Sequence, residues 1–364
     1  MLGAGRVGGL IARDLAADGD VVVADRSPEA LEPLAAQTET VVASAADAPR
    51  VRALAEGCDA VVSAVPGALG HRLLATLVDA GARVADIAFA PEDARDHHAR
   101  ALETGATIVF DCGVAPGLSN AFAAVACDAL DEAELVRIWV GGLPFRRVLP
   151  WEYRSVFSPT DVIEEYVRPC RMKRDGRRIE VPALSEPETV DFAPVGTLEA
   201  FCTDGLRSLL DTLDAPTLVE KTLRYPGHAA RVGLLRDAGF FDDAPRTVGG
   251  REVVPRQVAE SLLFEDWELA PDDEEFTLLR VEVAGRKGGN PATAGWQLFD
   301  RTRDGTTSMA RTTGYPCAIV ARWLAEGRFD RPGVHPPETL ARIPGLFDDW
   351  LAALAARHVH ATAL

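Results

Sequence analysis

The chain has 364 residues, of which 47% are hydrophobic, and a formal net charge of −17. This length predicts two domains, because a single hydrophobic core rarely grows beyond about 250–300 residues. Charge of this sign repels phosphate backbones and anionic lipids, so we expect a small-molecule partner and neither nucleic acid nor a membrane. The sequence holds neither an apolar run of about 18 residues nor a signal peptide, and we expect a cytoplasmic protein.

The six cysteines are scattered along the chain. They form no Cys-x-x-Cys pair, and no histidine lies near them at the spacing of metal ligands. We therefore expect neither a disulfide framework nor a metal site.

The first part of the chain alternates short β-branched runs with longer helical stretches, which is the rhythm of βαβ units. Apolar residues take consecutive positions in these runs, as is typical of parallel strands buried on both faces. The predicted strands are residues 21–24, 40–43, 60–65, 83–87 and 107–110, with helices at 10–17 and 73–80 among those between them.

The pattern changes after residue 135 to strands with alternating apolar and polar residues, typical of a mostly antiparallel sheet with one covered face. Those strands are 137–140, 219–225, 278–283 and 296–300. The last segment is helical again, at 318–325 and 344–356, and we expect it to pack on the first domain. The domains are thus predicted as residues 1–115 completed by 312–364, and residues 116–311.

The first glycine-rich turn matches the dinucleotide-binding pattern G-x-G-x-x-G and leads into an amphipathic helical stretch. Gly3 permits the tight turn, Gly5 lets the backbone approach a pyrophosphate, and Gly8 allows a helix to pack closely on a strand. Arg6 and Val7 open the helix, whose N-terminus suits the pyrophosphate. We expect all five residues to contact a dinucleotide.

The residues before and after this turn give further information on the dinucleotide site. Asp25 follows it by about twenty residues, where the pattern requires an acid for the adenosine ribose hydroxyls. A carboxylate there repels a 2′-phosphate and favours NAD, whereas Arg26 leaves NADP open because it can accept that phosphate or stack on adenine. Only Met1 and Leu2 precede the turn, so we expect a longer reading frame to supply the missing strand.

Two further turns follow predicted strands at the carboxyl edge of the sheet, which is the ligand edge of an open parallel sheet. Residues 63–67 form either a cofactor loop or an ordinary Pro-Gly turn. Residues 111–117, Asp-Cys-Gly-Val-Ala-Pro-Gly, are interpreted as a loop that a ligand approaches closely. The cofactor contacts expected from these two turns are Ala64, Val65, Pro66, Gly113 and Pro116.

Two further features join these motifs, namely Asp86 and the run Lys-Thr-Leu-Arg-Tyr-Pro-Gly-His at 221–228. Together they resemble the saccharopine dehydrogenase family and, within it, the lysine 6-dehydrogenases. The similarity extends over nearly the whole chain. The resemblance implies an α/β fold, with a Rossmann doubly wound parallel sheet and an inserted α/β domain of mostly antiparallel strands for catalysis and dimerisation. It also implies a homodimer or higher homo-oligomer and a lysine-, saccharopine- or polyamine-like substrate.

The sequence departs from the lysine 6-dehydrogenases in two places. The loop at residues 86–92 lacks the glycine and histidine associated with those enzymes, and Ser44 stands where an acidic residue often contacts adenine. Ser44 is retained as a candidate cofactor contact. The departures leave the substrate more open than the reaction class.

Oxidation of an amine by hydride transfer requires a neutral nitrogen, so the site must take a proton from an ammonium group. Asp86 and Asp111 lie at the ends of predicted strands, where they face the cleft at the ligand edge. Each one binds the ammonium group or relays its proton, or else serves only as a helix cap or turn former.

The second domain supplies the remaining candidates. Arg224 clamps a substrate carboxylate or forms a surface ion pair. His228 transfers a proton, for which its ordinary pKa is suited, or is structural. Tyr153 lines the substrate pocket or is buried in the domain core. The turn at residues 203–205 donates hydrogen bonds to a carboxylate or is a plain Asp-Gly turn.

The leading hypothesis is an NAD-dependent dehydrogenase that oxidises the CH–NH2 or CH–NH carbon of an amino acid such as lysine. A second is reductive condensation with NAD(P)H, as in saccharopine or carboxynorspermidine formation. A third is a non-catalytic protein that binds a dinucleotide, since fold alone does not imply function.

Overall fold

The computed structural model describes residues 1–270 and 273–364. Backbone contacts divide the chain into two units. The first consists of Met1–Val125 with Ala310–His360, and the second of Ala126–Met309 with Ala361–Leu364. These divisions lie near, but not at, the boundaries 115/116 and 311/312 expected from the sequence.

The described residues form the following elements. The strands are β1 (Val22–Asp25), β2 (Glu39–Val42), β3 (Val61–Ser63), β4 (Arg83–Asp86), β5 (Thr107–Val109), β6 (Glu132–Pro144), β7 (Cys170–Arg174), β8 (Arg177–Val181), β9 (Glu188–Phe192), β10 (Gly196–Cys202), β11 (Thr217–Arg224), β12 (Arg246–Val248), β13 (Arg251–Val253), β14 (Glu275–Lys287), β15 (Asn290–Arg301), β16 (Gly333–His335) and β17 (Ala361–Ala363). The α-helices are α1 (Arg6–Leu15), α2 (Pro28–Leu31), α3 (Ala48–Ala55), α4 (Gly67–Asp79), α5 (His98–Thr104), α6 (Leu118–Asp128), α7 (Pro159–Val167), α8 (Leu209–Thr212), α9 (His228–Asp237), α10 (Pro255–Trp267), α11 (Ser308–Ala325), α12 (Pro337–Ala341) and α13 (Leu346–Ala355). Short 3-10 helices lie at Glu32–Leu34 and Ala94–His97.

The strands of the first unit are all parallel. They form a sheet in the order β16-β5-β4-β3 and a pair β1-β2. Leu2 makes parallel bridges to Ser63 and to Ala24, so its backbone occupies the position between β3 and β1. Each strand predicted before residue 115 overlaps an observed one, and the predicted Rossmann-type α/β fold is confirmed.

The consecutive apolar residues of these strands are buried as expected. Every residue of β3 and β5 is buried, and Val84 on β4 is fully inaccessible. Leu73 and Leu77 of α4 pack into the same cluster. Burial of this kind stabilises the sheet by about 25 cal/mol for each Å² of apolar surface removed from water.

The second unit contains a large mixed sheet in the order β17-β15-β14-β6-β11-β10-β9, with β7 and β8 attached beside β11. The pairing of β6 with β11 is parallel, and the other pairings in this sheet are antiparallel. The mostly antiparallel character predicted for this domain is therefore correct. The hairpins β7-β8 and β12-β13 and the final strand β17 were not predicted.

The last long helices lie in the first unit. Arg322 of α11 contacts Asp14 of α1 at 2.6 Å, and Arg357 contacts the same carboxylate at 2.7 Å. Across residues 1–270 and 273–364, no helix combines the length and apolar character needed to cross a membrane.

Candidate active site

The glycine-rich turn fits the close approach of a dinucleotide. A Cβ atom on Gly3 would lie 2.3 Å from the carbonyl oxygen of Ala64, and one on Gly8 would lie 2.3 Å from that of Gly3. A Cβ on Gly5 would meet nothing within 4 Å. Gly3 and Gly8 are thus required by packing, whereas Gly5 faces open space. The helix that begins at Arg6 has no acidic residue in its first turn, and its N-terminus suits an anion.

Asp25 lies beside this turn at the end of β1 and is partly exposed. Its Oδ2 accepts a hydrogen bond from the backbone of Ala4 at 2.7 Å, and its Oδ1 accepts one from the backbone of Ser27 at 2.9 Å. Each oxygen keeps a second acceptor position, because a carboxylate has about four. The carboxylate is therefore fixed in place and still able to accept from ribose hydroxyls.

The strand register brings the predicted cofactor segments to one edge of the sheet. Leu2 pairs with Ser63, which pairs with Asp86, and Ala85 pairs with Val109. Because these strands are parallel, the residues that follow them meet at the same carboxyl edge. Those segments are the turn at residues 3–8, residues 64–66, and the loop from Asp111 to Pro116.

The adenine-side candidates lie further along this edge. Asp25 pairs with Val42, the last residue of β2, and Ser44 follows two residues later. The Ser44 hydroxyl accepts a hydrogen bond from the backbone of Ala46 at 3.2 Å and is exposed. Arg26 is also exposed.

The loop at residues 113–117 is held by two polar residues that the sequence analysis did not identify. Gly113 donates to the carbonyl of Pro116 at 3.1 Å, and Gly117 donates to Oδ1 of Asn120 at 3.1 Å. Nδ2 of Asn120 donates to Glu338 at 3.3 Å. Asn120 follows the loop by only three residues, whereas Glu338 comes from α12 and has no sequence signal that links it to the loop.

Asp86 and Asp111 are both buried, with exposed fractions of 2% and 3%. Oδ1 of Asp86 accepts a hydrogen bond from the backbone of Ala88 at 3.3 Å, which is the turn-forming role considered above. Asp111 adopts a left-handed conformation with φ of 55°, uncommon for a residue other than glycine. The backbone of Cys112 donates to the carbonyl of Asp86 at 2.9 Å and joins the two segments.

Arg224 does not form the surface ion pair considered as its alternative role. Its side chain is 4% exposed and contacts Glu165 at 2.8 Å. Its guanidinium group also lies 4.3 Å from the ring centroid of Tyr153. The pair is buried on the arginine side, and Glu165 already neutralises the charge that a substrate carboxylate would need.

The expectation that the pKa of His228 suits proton transfer is wrong. The side chain is fully buried, and burial together with the nearby Arg224 charge lowers its pKa to about 3. Its Nε2 lies 3.0 Å from the hydroxyl of Tyr166 and its Nδ1 lies 3.1 Å from the carbonyl of Trp151. The ring is therefore neutral near pH 7, with a hydrogen-bond partner at each nitrogen.

Tyr153 belongs to the core of the second unit, as its alternative interpretation held. It is 4% exposed, and its ring meets those of Trp267 and His228 edge-on at 5.5 and 5.6 Å. Burial raises the pKa of its hydroxyl, against the effect of Arg224. Tyr153 thus packs with the same cluster as Arg224 and His228.

The turn at residues 203–205 binds a carboxylate, but one that belongs to the chain itself. Oε2 of Glu220 accepts hydrogen bonds from Thr203 Oγ1 at 2.7 Å and from the backbone of Gly205 at 3.0 Å. Burial raises the pKa of Glu220 to about 7. Glu220 therefore fills the position that the sequence suggested for a ligand.

The parallel sheet and the glycine turn at its edge define a dinucleotide-binding protein of the Rossmann type. The family model described as saccharopine dehydrogenase NADP binding domain matches residues 1–109, and the one described as saccharopine dehydrogenase C-terminal domain matches residues 113–359. The chain belongs to the saccharopine dehydrogenase family, as the resemblance predicted. A nicotinamide dinucleotide is supported as its cofactor, and the family is one of NAD(P)-dependent oxidoreductases.

Similar proteins agree with this assignment. The solved structure of saccharopine dehydrogenase (L-Glu forming) from Saccharomyces cerevisiae shares the fold with a TM-score of 0.81 at 18% identity, covering 100% of this chain and 98% of that one. Carboxyaminopropylagmatine dehydrogenase of Synechocystis sp. is 22% identical over 95% of this chain and 93% of its own length.

Two longer relatives are alpha-aminoadipic semialdehyde synthases. The Arabidopsis thaliana protein is 23% identical over 52% of this chain, and the mitochondrial Mus musculus protein is 22% identical over 80% of this chain. The matches cover 19% and 39% of those two proteins, so the chain spans less than half of their length.

Proposed function

We propose that the protein is an NAD-dependent dehydrogenase that oxidises the CH–NH2 or CH–NH carbon of an amino acid such as lysine. The observation that carries the proposal is the position of Asp86 and Asp111. Both are buried carboxyl groups at the carboxyl ends of adjacent parallel strands: Asp86 is the last residue of β4, and Asp111 follows β5 by two residues, at the edge that also bears the glycine turn. The homo-oligomer and the cytoplasmic location expected from the sequence remain part of this proposal.

The role of the two aspartates follows from the chemistry of the substrate. An ammonium group enters as a cation and must lose a proton before its carbon releases hydride. In this proposal, carboxylates held at the end of β4 and just after β5 attract the cation, and one of them accepts that proton. A nicotinamide dinucleotide held at the glycine turn would supply the hydride acceptor. Burial of the two side chains strengthens the attraction, because charges interact more strongly away from water.

The test is a substrate screen on the purified full-length chain. Reduced nicotinamide should accumulate when NAD is mixed with lysine or a related diamino acid, and not when the amine is blocked by acylation. Dinucleotide binding without turnover across the amine panel would contradict the proposal and favour the non-catalytic alternative.

Reductive condensation is the second candidate function. The Synechocystis relative, which is matched over nearly its whole length, is called a carboxyaminopropylagmatine dehydrogenase, and that name describes an agmatine with a carboxyaminopropyl group attached. A compound of this kind has the CH–NH bond that reductive condensation of an aldehyde with an amine would form, which favours the second candidate. Consumption of NAD(P)H with an aldehyde and an amino acid, faster than reduction of NAD by any free amine, would support this candidate over the first.

The preference for NAD over NADP is tested at Asp25. We expect Asp25→Asn to weaken NAD binding by about ten- to a hundredfold, because a negative acceptor for two ribose hydroxyls becomes a neutral amide, a difference of about 1.4–2.8 kcal/mol. NADP binding should weaken less, since repulsion of the 2′-phosphate is also removed. Titration calorimetry with both dinucleotides measures the two changes, and an equal loss for both would contradict the assignment.

A further inference from the structure

Thr313 of α11 lies beside two of the segments predicted to contact the dinucleotide. A Cβ atom on Gly113 would lie 3.3 Å from Cγ2 of Thr313, so the threonine packs against the loop at residues 113–117. A Cβ atom on the next residue, Gly314, would lie 3.5 Å from Cγ1 of Val7, in the first turn of α1. All of these residues belong to the first unit. Thr313 is thus held between this loop and the helix that follows the glycine turn.

The hydroxyl group of Thr313 is buried and has no hydrogen-bond partner among the residues that the structure describes. The residue as a whole is 9% exposed. A threonine inside a helix can donate to a carbonyl of the preceding turn. Thr76, Thr104 and Thr212 each donate to the carbonyl four residues earlier, at 3.2, 3.1 and 3.1 Å. Burial of a hydroxyl without a partner costs free energy, and a ligand that supplies the partner removes this cost.

The position of Thr313 distinguishes it from the other buried hydroxyls of the first unit that lack a partner. Over the described part of that unit, these are Ser63 and Thr107. Thr107 is the first residue of β5 and therefore lies at the amino end of the parallel sheet, opposite the ligand edge. Ser63 lies at the ligand edge as the last residue of β3, but it is fully inaccessible. Thr313 combines a place beside the cofactor segments with a partly accessible side chain.

The order of the strands indicates which half of the dinucleotide lies near Thr313. Asp25, the candidate for the adenosine ribose, ends β1, whereas the loop at residues 113–117 follows β5. The sheet runs from β5 through β4 and β3 to Leu2 and then to β1. The glycine turn follows Leu2 and lies between the two. A dinucleotide with its pyrophosphate at that turn and its adenosine at Asp25 would therefore extend its nicotinamide half toward the loop.

We propose that the hydroxyl of Thr313 forms a hydrogen bond with the nicotinamide half of the dinucleotide, at its ribose or its carboxamide. The inference rests on the proposed function and deepens it, because it assigns a cofactor contact to α11, about three hundred residues after the glycine turn. Both groups of the ligand can donate and accept, as a threonine hydroxyl can. Rotation about the Cα–Cβ bond lets this hydroxyl turn toward either one.

The first test is titration calorimetry of NAD, ADP-ribose and ADP into the full-length chain. Thr313→Val replaces the hydroxyl with a methyl group of similar size. It should weaken NAD binding about three- to tenfold, as loss of one hydrogen bond does, and leave the binding of ADP unchanged. An equal loss for ADP-ribose assigns the contact to the ribose, and a loss for NAD alone assigns it to the carboxamide.

Two variants serve as controls for these titrations. Thr313→Ser keeps the hydroxyl and should retain the affinity for NAD. Thr76→Val removes a hydroxyl of α4 that donates to the carbonyl of Arg72 at 3.2 Å, and it should also leave the affinity unchanged. An unaltered NAD affinity in Thr313→Val, or an equal loss for NAD, ADP-ribose and ADP, would overturn the inference.

Thermal unfolding distinguishes a ligand contact from a structural role of the hydroxyl. Without dinucleotide, Thr313→Val should retain or raise the midpoint, because a buried polar group without a partner is replaced by an apolar one. Saturating NAD should then raise the midpoint of the variant less than that of the unaltered chain, since the variant binds NAD more weakly. A lower midpoint in the absence of NAD would show that the hydroxyl stabilises the fold and would overturn the inference.

The fate of this inference is separable from that of the proposed function. NAD binding that depends on the Thr313 hydroxyl, in a chain that oxidises no amine, would support the contact and overturn the proposed function. Amine oxidation in which Thr313→Val changes neither the affinity nor the KM for NAD would overturn the contact and leave the proposed function intact.

Discussion

The sheet edge of the first unit and a polar cluster of the second unit both carry residues predicted for the functional site. The cluster consists of Tyr153, Tyr166, Arg224 and His228, with Glu165 paired to the arginine. The two regions differ in the hydrogen-bonding capacity that their polar groups keep for a ligand. At the sheet edge, Gly5 faces open space and Asp25 keeps acceptor capacity beyond its two backbone contacts. In the cluster, His228 has a partner at each ring nitrogen and Arg224 is paired with Glu165. A histidine or arginine therefore indicates a ligand site only where its neighbours leave it a position for a hydrogen bond or ion pair with the ligand.

The sharpest test of this comparison is Asp86→Asn. We expect kcat/KM to fall by about 10²–10⁴-fold, because the variant loses both the attraction for an ammonium group and the capacity to accept its proton. The thermal midpoint should fall much less than turnover does, since the amide oxygen of the variant can still accept the hydrogen bond from the backbone of Ala88. Steady-state kinetics and calorimetry measure the two quantities.

The matched control for that variant is Asp79→Asn, which lies in the same unit on the exposed end of α4 and pairs with Arg100. It should retain full turnover. Full activity in both Asp86→Asn and Asp111→Asn would remove the sheet-edge carboxylates from the catalytic site.

In the polar cluster, the expected effect is on stability. Arg224→Ala leaves Glu165 without its cation and should cost about 2–3 kcal/mol, below the range for a fully buried pair because Glu165 is 30% exposed. The thermal midpoint should fall by roughly 5–10 °C. Arg137→Ala, in an exposed pair with Glu282, should cost less than about 1 kcal/mol. A normal midpoint with lost turnover would instead move Arg224 into the active site.

The smallest effect concerns pH. Glu220 has a pKa raised by burial from 4.5 to about 7, so the protonated form is favoured in the folded state. Below pH 4.5 the carboxyl group is protonated in both the folded and the unfolded chain, and its contribution to the free energy of unfolding is complete. As the pH rises from 4.5 to 7 the unfolded chain loses the proton first, so this contribution falls. Above pH 7 both states are ionised and the contribution no longer changes. Glu220→Gln should therefore gain a few degrees relative to the unaltered chain between pH 4.5 and pH 7.

The control for the pH series is Glu252→Gln, on the exposed hairpin strand β13. Its midpoint should follow that of the unaltered chain across the same range. A Glu220→Gln difference that does not vary with pH would show that Glu220 stays charged in the turn at residues 203–205.

The sequence predicted the first sheet well because its strands are buried on both faces, and consecutive apolar residues are a direct sign of that burial. It underestimated β6, which we expected to end at residue 140 before two glycines. Gly141 and Gly142 continue the strand, since Cβ atoms there would lie 2.5 Å from the carbonyl oxygen of Leu223 and 2.4 Å from Met309. Glycines required by close packing look like strand breakers when the neighbouring strand is unknown.

The candidate site was predictable only in part, because some of its contacts join residues that are far apart in the sequence. The dinucleotide-binding pattern G-x-G-x-x-G and the acid about twenty residues after it have a fixed spacing. The candidates Gly3, Gly5, Gly8 and Asp25 could therefore be identified from the local sequence. The alternation of β11 indicates which side chains share a face with Arg224, but not that Glu165, from a distant helix, covers that face. The contact between Asn120 and Glu338 likewise joins residues more than two hundred positions apart, and no short motif reports it.

The final strand, β17, has a consequence for any attempt to isolate the second unit. It pairs with β15, although residues 310–360, which precede it, belong to the first unit. A fragment cut at residues 126 and 309 would therefore lack this strand and expose the outer backbone amides and carbonyls of β15. Bare sheet edges recruit other chains, so such a fragment should aggregate unless residues 361–364 are reattached through a linker.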